Sequence, residues 1–192
     1  MLFLITLIAT VALTFLLKTP IKRLPWLFYL LAIVVTVVFL ARGTIQLPAI
    51  IDRPFFMLMQ KATLAEALFV VVMFIGVFDV KSKIRSWFQP IRAELSIFAC
   101  IIALGHIAAY LTSFGVRIFV NSGSYNGFLL SSFVIALVLF ALLLILGFTS
   151  FEVIKKRMKT KSWKKVQYLA YAFYALTYVH ILLFLLPPAI GG

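Results

Sequence analysis

Six apolar runs, 16 to 24 residues long and parted by short connectors, decide what this chain can fold into. They lie at residues 2–17, 24–41, 62–80, 92–112, 128–151 and 166–186. Each is near the roughly 20 residues that carry a helix across a hydrocarbon layer of about 30 Å. Only 12% of the residues are charged and 65% are hydrophobic, whereas a soluble domain is about 25% charged. A chain of 192 residues cannot hide that much apolar surface in a core of its own. The runs therefore predict an all-α integral membrane protein. It would be a single transmembrane domain over residues 1–192, a six-helix bundle surrounded by the lipid bilayer.

The formal net charge of +13 would suggest nucleic acid in a soluble protein. Here the basic residues cluster between apolar runs, where lipid headgroups and membrane topology explain them, and no nucleic-acid partner is expected. The connectors after runs one, three and five carry three, four and seven Lys/Arg, fourteen of the eighteen in the chain. The positive-inside rule assigns these connectors to the cytoplasm and both termini to the extracytoplasmic side. A multi-pass protein of a bacterial plasma membrane is the expected setting. No basic residue precedes the first run and no small-x-small site precedes Lys18, so run one reads as an anchor and not a signal peptide. Residues 42–61, with prolines and mixed charge, read as an external loop with a short helix on the surface. Cys100 is the single cysteine and lies inside run four, so no disulfide or CxxC site exists within one chain.

Within this apolar background stand two histidines, His106 in run four and His180 in run six. Imidazole in hydrocarbon is costly unless it is bonded, so each is a hypothesis about function. Both runs enter from the cytoplasmic side, near Arg92 and near Val166, and each histidine is 14 residues further on. At 1.5 Å per residue both are roughly 21 Å deep, level with one another in the outer half. Two imidazoles at one level could ligate a haem iron axially, an arrangement that favours electron transfer. Ala99, Ala103, Gly105 and Ala109 would admit a flat macrocycle, or they are ordinary small residues of helix packing. The competing readings are a proton relay, or packing histidines bonded to a neighbouring Ser, Thr or Tyr, for which Thr177 or Tyr178 could serve.

The arginine, the helix ending in a small residue with His and an aromatic, and the stretch GFTSFEVIKKRMKTKSWKKVQYLAYAFYALTYVH resemble the ferric reductase-like transmembrane domain. That stretch has a helix ending in a Thr–Ser pair, a basic loop, a tryptophan and a helix with a late histidine. The nearest likeness is to the haem-binding membrane subunit of bacterial periplasmic methionine sulfoxide reductase systems, over about residues 26–183. The resemblance implies axial ligands at His106 and His180. Oxidase-type members hold a second, inner haem, whose ligands would fall on Arg92 and Gln167, neither an ordinary haem ligand. One b-type haem in the outer half is therefore implied. Its donor would be a quinol, a flavin or quinone in the vacated pocket near Arg92 and Gln167, or a partner reductase. Its acceptor would be extracytoplasmic, and the chain an oxidoreductase or the electron-transfer subunit of one.

Four further expectations follow from charge. Arg42, Arg53 and Arg117 lie on the outer side, where haem propionates would point and where an arginine could grip one with two hydrogen bonds. Glu66 handles protons or pairs with Lys61 or an outer arginine. Asp79 pairs with the inner basic cluster. The run KKRMKTKSWKK reads first as a topology anchor on anionic lipid and second as a docking surface for a cytoplasmic donor. The sequence offers no GxGxxG for a nucleotide, and no inverted repeat or pair of broken helices for a transporter. The reading from another class remains a non-redox transporter or assembly scaffold.

Overall fold

Hydrocarbon leaves a backbone no water to bond, so apolar runs must satisfy their own N–H and C=O groups as helices. The computed structural model, which describes residues 1–120 and 127–190, is helical nearly throughout and has no strand among the described residues. Its α-helices are α1 (Leu2–Leu16), α2 (Lys18–Arg23), α3 (Pro25–Leu40), α4 (Ala49–Gln60), α5 (Thr63–Val77) and α6 (Lys83–Phe88). They continue as α7 (Arg92–Tyr110), α8 (Val116–Val120), α9 (Gly127–Ser150), α10 (Glu152–Arg157), α11 (Thr160–Gln167) and α12 (Leu169–Ile190). A 3₁₀ turn at Gln89–Ile91 leads into α7, and a π turn at Leu111–Gly115 follows it.

Three helical stretches are long and apolar enough to cross a membrane: Lys83–Gly115, Gly127–Ser150 and Thr160–Leu185. A fourth is reached if α4 and α5, bent by 55° at their junction, count as one span. The protein is thus all-helical and membrane-like. α1 and α3, at 15 and 16 residues, reach about 22–24 Å and fall short of a full hydrocarbon layer.

Several boundaries differ from the hydropathy reading, because connectors rich in Lys and Arg are themselves good helix formers. The stretch after run three is helical as α6 and the 3₁₀ turn, with Ser82 accepting the Arg85 N–H as its cap at 3.3 Å. The basic connector after run five folds into α10 and α11. The last helix does not stop at Pro187–Pro188 but continues to Ile190, although each proline forgoes one i→i−4 bond there. The Gly/Ser/Asn-rich part of the outer loop, residues 121–126, lies outside the described residues.

The chain divides into two compact units, Met1–Tyr110 and Leu111–Gly192. In the first, α7 packs against α3, α5 and α4, and α1 packs against α5. Its core gathers Ile21, Leu68, Val72, Ile75, Ile91, Leu95 and Ala99. The face of α1 that buries Thr6, Thr10 and Thr14 repeats every four residues. The Thr6 and Thr14 hydroxyls donate to Leu2 O and Thr10 O, at 2.9 and 2.8 Å. Being satisfied within their own helix, they can be buried at little cost. Where α3 meets α7, Thr36 Oγ1 donates to Ile101 O at 3.2 Å. A Cβ on Gly105 would stand only 3.0 Å from Thr36 Cγ2.

In the second unit α9 and α12 lie along each other, with α10 and α11 against α9. Lipid hydrocarbon is as apolar as leucine, so polar groups and small residues must register two such helices. Ser132, 1% exposed, is one such group, and Thr149 near the other end of α9 is the second.

Candidate functional site

His106 sits four residues before the end of α7. Its Nδ1 lies 2.6 Å from Gln60 O, the last residue of α4. A carbonyl can only accept, so Nδ1 carries the proton and the lone pair is on Nε2. The bond satisfies one of the orphan carbonyls that end α4. The chain then turns through Ala62, whose φ of 53° is left-handed; it lets α5 start at a new angle. Tyr110, one turn beyond, holds its ring 4.6 Å from the imidazole.

His180 is bonded within its own unit. Its Nδ1 is 3.0 Å from Ser132 Oγ and 3.1 Å from Ser132 O. Nδ1–H donating to the carbonyl would leave the lone pair on Nε2, whereas the nearer hydroxyl donating to Nδ1 would leave the proton on Nε2. Phe184 meets the ring edge-on at 5.4 Å. The partner is neither Thr177, whose hydroxyl donates to Phe173 O at 2.8 Å, nor Tyr178, which is exposed. The small residues beside His106 serve helix packing: Ala99 is fully buried, and the Gly105 position is closed by Thr36, Phe39 and Met59. His106 belongs to the first unit and His180 to the second.

The remaining residues singled out from the sequence hold other parts of the fold. Arg42 grips both carboxylate oxygens of Asp52, with Nε–Oδ1 at 2.9 Å, and stacks its guanidinium 3.8 Å over Phe56. Its hydrogen-bonding fork is thereby used within the chain. Arg53 and Arg117 are exposed. Arg92 Nε donates to Val72 O at 3.2 Å, its guanidinium lying against Gly76. Beside it Arg85 donates to Phe78 O at 2.8 Å. Two cations thus meet the C-terminal end of α5, where the helix dipole favours positive charge.

Gln167 Nε2 donates to Thr149 Oγ1 at 3.1 Å and Trp163 Nε1 to Thr149 O at 2.9 Å. The Thr–Ser pair, basic loop and tryptophan therefore form a clamp on the end of α9. Asp79 makes no ion pair among the described residues; it accepts the Lys81 N–H at 2.7 Å in a tight turn. Glu66 likewise makes no ion pair among the described residues. It stands in the first turn of α5, where the dipole favours an acid.

The sequence reading missed the partners: Gln60, Ser132, Asp52 and Glu94, which pairs with Lys22 at 2.9 Å. Asp52 was accessible to charge arguments, as the one acid among the outer loop's basic residues. Ser132 had a weaker signal, as one of the adjacent serines Ser131 and Ser132 in a run apolar from Phe133 to Phe148. Gln60 had none, since it acts through its carbonyl. Among the described residues no three His, Cys, Asp or Glu gather to hold a bare metal ion.

The chain is similar to an uncharacterized protein of Treponema pallidum (strain Nichols), 40% identical over 135 residues, 70% of this chain. The matched part is 37% of that protein's length, so this chain corresponds to little more than a third of its relative. No protein-family model matches the chain, and no solved structure does.

Proposed function

We propose that this chain is a membrane b-type haem protein that passes electrons to an extracytoplasmic acceptor, in the manner of a ferric reductase-like domain with its outer haem alone. The observation that supports this reading is the shared bonding of the two intramembrane histidines. Each has Nδ1 against a backbone carbonyl, Gln60 O at 2.6 Å and Ser132 O at 3.1 Å. Histidines that ligate metal are held in this way: the Nδ1–H bond fixes the ring and its tautomer and makes Nε2 more basic. Two imidazoles suffice as the axial ligands of a haem iron.

When bound, haem would supply one-electron Fe(III)/Fe(II) chemistry. His106 and His180 would hold it, and the apolar helices would exclude water. Arg42 is engaged by Asp52, so Arg53 and Arg117 would be the outer arginines open to a propionate. Arg92 and Gln167 bond helix ends, an arrangement that favours a diffusing quinol or a partner reductase as donor over a flavin or quinone at those two residues. In this reading the chain crosses the bilayer six times with both termini outside. α1 and α3 would be accommodated by local thinning and by snorkelling of their flanking basic side chains. The resemblance to the methionine sulfoxide reductase membrane subunit makes an extracytoplasmic reductase a fitting acceptor.

The deciding experiment is an optical spectrum of the purified protein before and after dithionite. A reduced b-type α band, lost in His106→Ala and in His180→Ala, is expected. A colourless preparation, or a band indifferent to both changes, refutes the proposal. It would favour the second reading, a non-redox membrane scaffold or transporter with packing histidines, which the closed packing around Gly105 supports. Single cysteines at Gly43 and Lys161 should label from opposite sides of sealed vesicles; labelling from one side refutes the six-span topology.

A further inference from the structure

Between α9 and α12, residues 155–165 carry seven Lys/Arg, and the structure gives this stretch a defined shape. α10 and α11, joined through Met158 and Lys159, each pack against α9. The indole of Trp163 donates to Thr149 O at 2.9 Å and Gln167 to Thr149 Oγ1 at 3.1 Å, pinning α11 to α9. Lys155 Nζ lies 5.2 Å over the Trp163 ring. The local acid, Glu152, stands 4.0 and 3.8 Å from Lys155 and Lys156. Among the described residues no carboxylate comes within ion-pair distance of Arg157, Lys159, Lys161, Lys164 or Lys165, all exposed. Five cations thus lie within residues 157–165 without a carboxylate partner among the described residues.

We infer that the α10–α11 segment is a built binding site for the headgroup of an anionic phospholipid. Charge complementarity sets the sign of the ligand, and position sets its class. α10 follows one membrane-length stretch, Gly127–Ser150, and α11 opens the next, Thr160–Leu185, so their cations stand at headgroup level. Tyr168 and Tyr171, exposed and stacked with centroids 6.2 Å apart, line the α12 side where interfacial aromatic rings sit. Because Trp163 and Gln167 fix α11 on α9, a headgroup meets an ordered array and not a loose basic tail. Occupancy relieves the repulsion among the lysines and ties α9 to α12. The site is independent of any haem.

The test uses the full chain in nanodiscs of phosphatidylcholine with and without phosphatidylglycerol, counting lipids retained per chain by native mass spectrometry. Phosphatidylglycerol should be retained over phosphatidylcholine. The double change Lys164→Gln, Lys165→Gln should weaken retention roughly 25-fold, since each interfacial cation contributes about fivefold. Trp163→Phe should weaken it with every charge kept. Excess inorganic phosphate should not displace the lipid. Equal retention of the two lipids, or no effect of the lysine changes, overturns the proposal. An unaffected Trp163→Phe reduces it to diffuse attraction and overturns the built site; displacement by phosphate makes it a site for free anions and overturns the lipid assignment. Should Trp163→Phe unfold more easily in phosphatidylcholine alone, the lysine pair, which is exposed and bonded to nothing in the core, decides by itself.

Discussion

Replacing His106 tests at once what holds α4 in place and what the imidazole is for. His106→Ala removes the Nδ1 bond to Gln60 O at 2.6 Å and the ring contact with Tyr110 at 4.6 Å. A hydrogen bond between membrane-embedded groups averages about 0.6 kcal/mol and reaches about 1.7. An aromatic contact adds about 0.5–1.5 kcal/mol, and the Gln60 carbonyl at the end of α4 loses its side-chain partner. Together these give a loss of about 2 kcal/mol. It would be read from equilibrium unfolding in mixed micelles of a mild detergent and dodecyl sulfate. His106→Asn separates the two roles, because its amide can donate to Gln60 O but is not a haem ligand. Asn should recover most of the stability while abolishing the reduced α band. A loss below about 0.5 kcal/mol for Ala, or equal losses for Ala and Asn, refutes the reasoning about the Gln60 bond. A haem band retained in Asn refutes the assignment of the ligand.

Gly105→Leu should destabilise the first unit by about 3 kcal/mol, since a Cβ alone already meets Thr36 Cγ2 at 3.0 Å. Gly43→Ala, with nothing within 4 Å, should be neutral in the same unfolding assay. Arg92→Ala should cost about 2 kcal/mol, the range for a charged hydrogen-bond donor, and leave any haem spectrum unchanged; a bleached spectrum with intact stability contradicts the assignment of Arg92 to the end of α5. Cys100, buried in α7, should react with a membrane-permeant maleimide only on unfolding. Rapid labelling of the native protein shows that α7 is not packed as described.

What the sequence alone determined is what depends on each segment separately. Partitioning into hydrocarbon is a property of a run's composition, so the helical class, the membrane setting and the positions of the apolar helices could be read residue by residue. Two histidines stood out because polar groups in such runs are rare. The partners could not be read that way. These helices are apolar all round, so their pattern carries no phase to say which face meets which neighbour. Only the folded chain turned His106 toward the end of α4, set Ser132 against His180 and closed Arg42 on Asp52. It also turned the basic connectors into helices and the Thr–Ser pair into the clamp for Trp163 and Gln167. Such pairings depend on helix rotation, on bends such as the 55° turn between α4 and α5, and on close approach at Gly105. They are fixed by packing between segments distant in the chain, where composition is silent.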